Sequence, residues 1–407
     1  MNERLDFALP RSWKWSPLKF STTYLGRGTA PDYADDGAVR MISQAANQAP
    51  GLDWERTRLH SHNGNPQRLK GFLVSGDVLV NSTGTGTLGR VGYFSAGPDD
   101  LPCVADGHIT VARADGKLAD SRYMYYWLNS RPFYEYIYSA LIVGATNQIE
   151  LNGERLAAAP TALPPLDEQR RIAAFLDAET ARVDELCALQ RRVRDAILAR
   201  LRAHLDVTTD GLAASHGTLP FRRMIRSIEQ GVSPQCDNFP ADVGSWGVLK
   251  VSAVKNGSFL ESENKSLPPG IDPERRYEVK TGDLLITRAN TPQLVGAAAV
   301  AQAPRAKLLL CDKIFRVALT PDLLNEFLVL VSLSTRVRAM CAGASHGTSQ
   351  SMANLKTEEI KRWPIPRAPL AAQENAIAEL SEARDHATQL TGAIDRHLPS
   401  SPNAAKP

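Results

Sequence analysis

The chain has 407 residues, more than one ordinary domain contains, so its length predicts two or three domains. With 43% hydrophobic and 22% charged residues it can bury real cores, which excludes an intrinsically disordered protein. The net charge of +3 excludes a polybasic, histone-like protein, but not a DNA-binding protein with local basic patches.

Cysteine usage and hydropathy favour a reducing compartment and exclude a membrane span. The five cysteines are scattered and none forms a C-x-x-C pair, so neither a disulfide framework nor a zinc ribbon is predicted. No apolar run approaches the ~18 residues that cross a bilayer, and the N-terminus shows no apolar secretory segment. We expect a cytoplasmic protein with no metal and no cofactor site.

The predicted elements are short strands and helices, and two of the helices are long. In chain order, strands are expected at residues 72–74, 78–80 and 108–111, a helix at 122–129 and a long helix at 167–204. Strands at 283–287 and 314–318, a helix at 323–333 and a final helix at 370–398 follow. Loops rich in Gly, Ser, Thr, Asn and Pro separate them.

The first long helix has neither Gly nor Pro, and its apolar residues follow the heptad pattern of a coiled coil. Asp167 is a candidate N-cap, and the helix would be about 57 Å long. Neither long helix would be stable alone, so we expect them to pack on each other, unless each folds back on its own domain. The seam residues are Ile172, Leu176, Val183, Leu186, Val193 and Ile197 in the first helix, and Ile377, Leu380, Leu390 and Ile394 in the second.

The chain repeats itself with a period of about 205 residues. This period is too long for a solenoid and indicates a duplicated module, each copy a globular domain followed by a helix. The paired positions include Gly76 with Gly282, Asp106 with Asp312, Pro165 with Pro369 and Gln169 with Gln373.

These patterns predict an α+β fold class, with two mixed α/β domains separated by two long helices. The predicted boundaries are residues 1–165 for the first domain, 166–206 for the central helix, 207–365 for the second domain, 366–398 for the C-terminal helix and 399–407 for a disordered tail.

The run from Gly84 to Gly89 matches the G-x-G-x-x-G pattern of dinucleotide-binding folds. That fold needs a helix directly after the glycines, whereas a second short strand is predicted here. The repeat equivalents, residues 290–295, lack the glycines. We therefore expect a polar hairpin loop rather than a nucleotide site.

Two further patterns resemble catalytic or metal sites, and neither is complete. Asp322 followed by Glu359 and Lys361 imitates a PD…ExK nuclease, but the first module lacks the equivalent, so a solvated helix face is the simpler interpretation. His60 and His62 have no third ligand at a known spacing and are expected to be loop residues. No P-loop, G-x-S-x-G, H-E-x-x-H or N/D-P-P-Y/F tetrapeptide occurs, which favours a non-enzymatic protein.

Polar residues follow the Gly-Asp strand in both modules, and a second polar loop precedes each long helix. Asn and Gln can pair with adenine edges, Arg with guanine, and Ser, Thr and Lys with phosphates. Such residues are also ordinary loop formers, which from chemistry alone is the simpler interpretation. The candidate DNA-contacting residues are Asn81, Ser82, Thr83, Thr85, Arg90, Asn147, Gln148, Lys250, Lys255, Arg288, Asn290, Thr291, Gln293, Ser349 and Gln350.

Three stretches together resemble one family: GDVLVNSTGTGTLGRVGYF, the YMYYWLNS helix with its following GATNQIELN, and LPPLDEQRRIAAFLD at the start of the first long helix. From about residue 10 to residue 398 the chain resembles the specificity subunit of type I restriction–modification systems. The equivalent stretch of the second module, WPIPRAPLAAQENAIAEL, departs more, since Ala372 stands where Glu168 stands in the first.

The resemblance implies that each module is a target-recognition domain for one half of a split DNA site, and that the chain has no catalytic activity of its own. It also implies that the helices pair as an antiparallel coiled coil that spaces the halves. The implied partners are double-stranded DNA, two methyltransferase subunits that use S-adenosylmethionine, and ATP-dependent restriction subunits, with no membrane. Because the loops of the modules differ, we expect an asymmetric site.

Charge and two alternative hypotheses complete these expectations. Residues 1–165 carry as many acidic as basic side chains and residues 207–365 a small basic excess, so we expect the isolated chain to bind DNA weakly. The main alternative is a coiled-coil adaptor whose modules bind another protein. A more distant one is a metal-dependent nuclease.

Overall fold

The computed structural model describes Leu5 and residues 8–48, 51–84, 86–143, 150–255, 257–344, 346–349 and 352–397. The chain divides into two compact units, Met1–Leu186 and Cys187–Pro399. The division falls inside the first long helix. The domain boundaries predicted above stay predictions, and the tail at 399–407 lies outside the described residues.

The first unit is a mixed α/β structure. Its strands are β1 (Lys14–Pro17), β2 (Thr22–Arg27), β3 (Val39–Ile42), β4 (Arg58–His60), β5 (Asp77–Asn81), β6 (Val91–Phe94), β7 (Cys103–Ala105), β8 (Ile109–Ala114), β9 (Ile142–Val143), β10 (Glu150–Leu151) and β11 (Pro160–Leu163). Its helices are α1 (Ser121–Leu128), α2 (Arg131–Tyr136), a π-helical turn (Ile137–Leu141), α3 (Gly153–Ala157) and the first part of α4 (Leu166–His216).

Two sheets carry the first unit. The larger has the order β2-β8-β5-β6 and is antiparallel throughout, while the smaller has the order β4-β3-β7, with β3 and β7 parallel. Strand β5 is buried along its whole length because it is an inner strand covered on both faces. The predicted strand at residues 72–74 is wrong: Leu73 is buried and Phe72 is half-buried, but Val74 is exposed and only Phe72 forms a β-bridge, to Val104.

The second unit repeats this arrangement. Its strands are β12 (Thr218–Pro220), β13 (Ile225–Gln230), β14 (Gly247–Leu249), β15 (Val254–Lys255), β16 (Ser258–Phe259), β17 (Asn264–Ser266), β18 (Leu284–Thr287), β19 (Ala289–Asn290), β20 (Ala298–Val300), β21 (Leu308–Leu309), β22 (Ile314–Leu319), β23 (His346–Ser349), β24 (Met352–Asn354) and β25 (Pro364–Pro366). Its helices are the second part of α4, α5 (Asn325–Leu333), α6 (Thr335–Ala344), α7 (Thr357–Ile360) and α8 (Leu370–His397). The antiparallel sheet β13-β22-β18-β20 and the sheet β17-β14-β21, with β14 and β21 parallel, match the two sheets of the first unit strand for strand.

Two glycines show which residues of the two units occupy equivalent positions. A Cβ on Gly28 would lie 1.9 Å from the Ala105 carbonyl oxygen, and a Cβ on Gly231 would lie 1.9 Å from the Leu310 carbonyl oxygen. Only glycine permits so close an approach, and the same approach occurs at the same place in each unit.

The backbone corrects one pairing made from the sequence. The Ile109 N–H donates to the Asp106 carbonyl, and the Ile314 N–H donates to the Cys311 carbonyl. Asp106 therefore corresponds to Cys311, not to Asp312. The sequence alignment was one residue out because an identical aspartate lies next to the true equivalent.

A buried glutamine anchors the start of each long helix to its unit. Gln169 accepts the Asp120 N–H at 2.9 Å and donates to the Leu118 and Pro164 carbonyls, both at 2.9 Å. Gln373 makes the same three bonds in the second unit, to the Leu324 N–H and the carbonyls of Asp322 and Ala368. The repeated glutamine of the sequence thus has a structural cause.

Helix α4 is longer than predicted. It begins at Leu166, so that Asp167 lies in its first turn instead of capping it, and it continues to His216, where Gly217 adopts φ +73°. The helix continues past Gly211 because Leu205 is buried and Leu212 packs on the core of the second unit. Packing there outweighs the low helix propensity of glycine.

The second part of α4 pairs with α8 inside the second unit. Arg194 lies 3.4 Å from Asp395 and His204 lies 2.7 Å from Glu379. Residue numbers rise along one helix and fall along the other, so the pairing is antiparallel, as the resemblance implied. The Asp206 carboxylate also accepts the Thr335 N–H at 2.8 Å and so caps α6.

Among the described helices, none taken singly is long and apolar enough to span a membrane. Helices α5 and α6 reach the length and apolar composition of a membrane span only when they are taken as a pair, and they are bent by 71° at their junction.

Candidate nucleic-acid interface

The repeated Gly-Asp motif positions the loops that follow β5 and β18. The fully buried Asp77 carboxylate accepts the Val74 N–H and two N–H groups of Arg113, all at 2.8 Å. In the second unit, the Asp283 carboxylate accepts the Lys280 N–H at 2.9 Å and an N–H of Arg316 at 3.1 Å. These carboxylates stabilise strand ends and are not free for chemistry.

The G-x-G-x-x-G run is a hairpin loop, as predicted. Gly84, Gly86 and Gly89 have φ values of +97°, +81° and +76°, and the chain passes directly from β5 into β6. The prediction that the second module lacks equivalent glycines is wrong at one position, Gly296. Gly296 has φ +75°, and its N–H donates to the Thr287 carbonyl just as the Gly89 N–H donates to the Asn81 carbonyl.

Two of the predicted DNA-contacting side chains are committed to the interior of the first unit. Asn81 is fully buried and accepts from the Asn47 side-chain amide at 2.8 Å. Ser82 is fully buried and shares a hydrogen bond of 2.5 Å with Thr110. Their side chains hold the start of the hairpin in place, so they support the surface rather than forming it.

Thr83 and Arg90 lie at the rim of this hairpin. The Thr83 hydroxyl bonds His108 Nδ1 at 2.8 Å and donates to Gln44 at 3.4 Å. Arg90 is half-buried and donates to the Gln48 side chain at 2.7 Å. Sequence reasoning missed Gln44 and His108. Gln44 lies two positions after the end of β3 and His108 directly precedes β8, which is a signal that only the strand alignment makes visible.

The corresponding loop of the second unit is less buried. Arg288 and Asn290 are half-exposed, and Thr291 and Gln293 are fully exposed. The Asn290 side chain accepts the Thr291 N–H at 2.8 Å, which stiffens the turn and leaves its amide group at the surface.

The remaining predicted contacts fall into two groups. Lys250 is half-buried and Lys255 is exposed. Four residues, Thr85, Asn147, Gln148 and Gln350, lie outside the described residues; Ser349 lies in β23, and its side chain is not described.

Burial perturbs one acidic group beside this surface. The buried environment of Asp106 raises the pKa of its carboxyl, and the His108 N–H, which donates to that carboxyl at 2.9 Å, opposes the shift. The hydrogen bond thus links the position of His108 to the protonation state of the Asp106 carboxyl.

The catalytic-looking patterns have structural uses. Glu359 accepts the Lys356 N–H at 2.7 Å at the start of α7, and Lys361 pairs with Glu358 at 2.7 Å. His60 is a buried strand residue that accepts the Asp32 N–H at 2.8 Å, so its predicted loop position is wrong. Among the described residues, no group of three or more His, Cys, Asp or Glu could hold a metal ion.

Similarity to known proteins identifies this duplicated fold. A family model described as "Type I restriction modification DNA specificity domain" matches residues 32–191. The Escherichia coli type I restriction enzyme EcoEI specificity subunit is 34% identical over 39% of this chain, a match that spans 27% of that protein. The EcoKI specificity subunit of Escherichia coli strain K12 is 24% identical over 96% of this chain and 86% of its own length. Residues 32–191 thus match the type I DNA specificity domain, and the similarity to type I specificity subunits extends over nearly the whole chain.

Solved structures extend the likeness to both units of this chain. A chain from a type I restriction–modification assembly superposes with a TM-score of 0.66 at 17% identity, covering 96% of this chain and 94% of that one. The specificity subunit HsdS of Thermoanaerobacter tengcongensis gives a TM-score of 0.50 at 16% identity, covering 98% and 94%. At these identities the likeness shows the fold.

The predicted helix seam is only partly covered. In α8, Leu380 is buried, Ile377 and Ile394 are half-buried, and Leu390 is exposed. In α4, Ile172, Leu176 and Ile197 are half-buried, whereas Val183, Leu186 and Val193 are exposed. Whether the exposed seam residues contact a partner stays a prediction.

Proposed function

We propose that this chain is the sequence-specific DNA-recognition subunit of a type I restriction–modification complex, and that each unit reads one half of a split, asymmetric site. One observation carries the proposal: the same loop-bearing fold occurs twice, with different polar side chains at equivalent loop positions. Ser82 and Arg288 show this, because their N–H groups donate to equivalent carbonyls, those of His108 and Lys313. Two similar scaffolds with different loops suit two different half-sites.

The partners in this proposal are double-stranded DNA, two methyltransferase subunits and ATP-dependent restriction subunits. On α4, the side chains of Phe175, Val183 and Leu186 are 64%, 55% and 54% exposed. These three apolar side chains recur at helical spacing on a surface with no cover among the described residues of the first unit. They support docking of a methyltransferase helix there. The chain itself supplies no catalytic group in this scheme.

The decisive experiment is a long-read methylome of the host strain with and without this gene. We expect methyladenine to disappear from one split, asymmetric motif when the gene is deleted. A complemented strain carrying Arg288→Ala should relax the sequence requirement in one half of that motif, whereas Lys280→Ala, at an exposed lysine of the same unit, should restore the full motif.

A coiled-coil adaptor is the competing function, because the exposed apolar residues of α4 suit protein binding of any kind. The adaptor hypothesis predicts a methylome that does not change on deletion, and no methyltransferase among the proteins that co-purify with the tagged chain. Either result alone would count against a specificity subunit that is active in the host, and both together would replace it with the adaptor.

A further inference from the structure

A cleft of about 600 Å³ opens on the second unit beside the loop that follows β18. Its lining includes Cys236, Lys250, Lys265, Asp312 and Lys313. Lys313 links the cleft to the loop, because its carbonyl accepts the Arg288 N–H at 2.8 Å.

Three lysines dominate the charge of this cleft. Lys250, Lys265 and Lys313 are half-buried, and among the described residues none of them forms an ion pair. The one acidic residue in the lining, Asp312, accepts a hydrogen bond from the Ser233 hydroxyl. Three ammonium groups around one concave surface repel each other unless an anion joins them.

The first unit does not repeat the first of these charges. The Lys250 carbonyl accepts the Ala253 N–H at 3.0 Å, and at the equivalent turn the Ser43 carbonyl accepts the Ala46 N–H at 2.9 Å. A serine therefore occupies the place of Lys250.

A histidine takes the place of the second lysine. The Arg288 N–H donates to the Lys313 carbonyl, and the Ser82 N–H donates to the His108 carbonyl, each at 2.8 Å. The first unit therefore carries an imidazole, whose Nδ1 is hydrogen-bonded to the Thr83 hydroxyl, where the second unit carries a lysine side chain.

The third position is basic in both units but is used differently. Lys265 faces Val248 in the central strand, and Arg58 faces Met41 at the matching position. The Arg58 guanidinium lies over the face of the Tyr33 ring, 3.8 Å from the centre of the ring, and makes a cation–π contact with it. In the second unit Cys236 takes the place of Tyr33, so Lys265 has no such aromatic cover.

We propose that the cleft formed by Lys250, Lys265 and Lys313 binds a DNA backbone phosphodiester, and that the second unit therefore supplies most of the salt-dependent part of DNA binding while the first supplies little. This inference deepens the proposed function and rests on it. It assigns Lys265 and Lys313 a role that sequence reasoning did not give them. Phosphate contacts of this kind fix the position of a unit on the duplex, and the neighbouring loop reads the bases.

Cys236 provides a chemical probe inside the cleft. It is half-buried, while the other four cysteines are buried, so a thiol reagent should label Cys236 first in the folded chain. Burial raises the pKa of the Cys236 thiol, and the nearby Lys265 opposes that rise. Bound duplex should slow this labelling at least tenfold, as read by mass spectrometry of the full-length chain in its purified complex.

The variant test measures how DNA affinity depends on salt. The complex is titrated with a nonspecific duplex, and the slope of log affinity against log salt should become shallower by about 0.9 for each of the three lysines changed to Gln. Lys280→Gln, at an exposed lysine of the same unit outside the cleft, should leave the slope unchanged. Ser43→Lys should steepen the slope, because it restores a cleft charge to the first unit.

The outcomes separate the two levels of the proposal. Duplex that binds without protecting Cys236, or a slope that is equal in wild type and in the triple Gln variant, overturns the phosphate cleft and leaves the specificity role intact. A complex that binds no duplex even at low salt overturns the specificity role, and the cleft with it. Inorganic phosphate is the second probe: protection by phosphate at the concentration at which the duplex protects would show a free-phosphate site and overturn the DNA assignment.

Discussion

Single side chains explain why the sequence motifs of the two modules recur. The glutamine of each P-x-x-x-Q stretch satisfies one N–H and two carbonyls at the junction of helix and unit, and it is almost fully buried in both copies. Leaving a buried backbone group without a partner costs about 1–3 kcal/mol. The motif therefore marks a joint of the fold and not a binding site.

Replacing Gln169 by Leu tests this joint. The change leaves the Asp120 N–H and the Leu118 and Pro164 carbonyls unpaired, and we expect the free energy of unfolding to fall by about 3 kcal/mol. Urea unfolding monitored by tryptophan fluorescence measures it. Gln389→Leu, at an exposed position of α8, is the matched control and should change stability by less than about 0.5 kcal/mol. Equal losses in the two variants would contradict the anchoring role.

The buried carboxyl of Asp106 makes stability depend on pH. Burial raises its folded-state pKa above the unfolded value, so the neutral form stabilises the fold below about pH 4, and this contribution is lost as pH rises through the folded pKa. We expect Asp106→Asn to gain stability relative to wild type as the pH is raised to neutral. Urea unfolding at acidic and neutral pH measures the difference.

The control for that prediction has the opposite sign. Hydrogen bonds from the Leu118 and Lys117 N–H groups lower the pKa of Asp115, so its ionised form stabilises the fold above its unfolded pKa. Asp115→Asn should therefore lose stability relative to wild type as pH rises. The same trend in both variants would refute the assignment of these shifts.

At the scale of elements, the sequence predicts strands and helices well where periodicity and turn chemistry agree. The strands at 78–80, 108–111, 283–287 and 314–318 and the helices at 122–129 and 323–333 are confirmed to within three residues. The strand at 72–74 fails because its backbone contacts β7 only through an isolated bridge and one hydrogen bond, from the Leu73 N–H to the Cys103 carbonyl, which do not make a continuous ladder. The extra length of α4 could not be predicted, since it depends on what Leu205 and Leu212 pack against.

The helix seam offers a test at this scale. Leu380 is buried at 2% exposure, whereas Leu390, almost three turns further along α8, is 42% exposed. We expect Leu380→Ala to cost about 2–4 kcal/mol of unfolding free energy and Leu390→Ala less than about 1. Calorimetric or urea unfolding of the two variants compares them directly. Similar costs would mean that Leu390 is covered in solution, by a partner or a second copy.

For the whole molecule, duplication was visible in the sequence but its consequences for the candidate site were not. The loops after β5 and β18 were found because strand motifs precede them. The contrast between Ser43 and Lys250, or between His108 and Lys313, needs an alignment correct to the single residue, which only backbone hydrogen bonds supply. Likewise, only the structure shows that the Asn81 and Ser82 side chains are buried and hold the start of the hairpin instead of lying on the surface.

The proposed function makes a prediction at this scale. Removing one heptad from α4 and one from α8 should change the number of unspecified base pairs between the two half-sites while leaving both half-site sequences unchanged. The methylome of a strain carrying the shortened chain measures both quantities. Circular dichroism and the Cys236 labelling rate show that the shortened chain is folded, and an unaltered spacing in a folded chain would contradict the role of the helices.

The pairing of β1 with β11, and of β12 with β25, brings together the two points at which the chain enters and leaves each module. A segment whose ends are neighbours can be exchanged for a related segment of different length, since only two junctions have to match. Recombination between related genes at those junctions would replace everything that one unit recognises and leave the helices untouched. New specificities can then arise in a single step, by exchange of whole segments, instead of through a series of weakened intermediates.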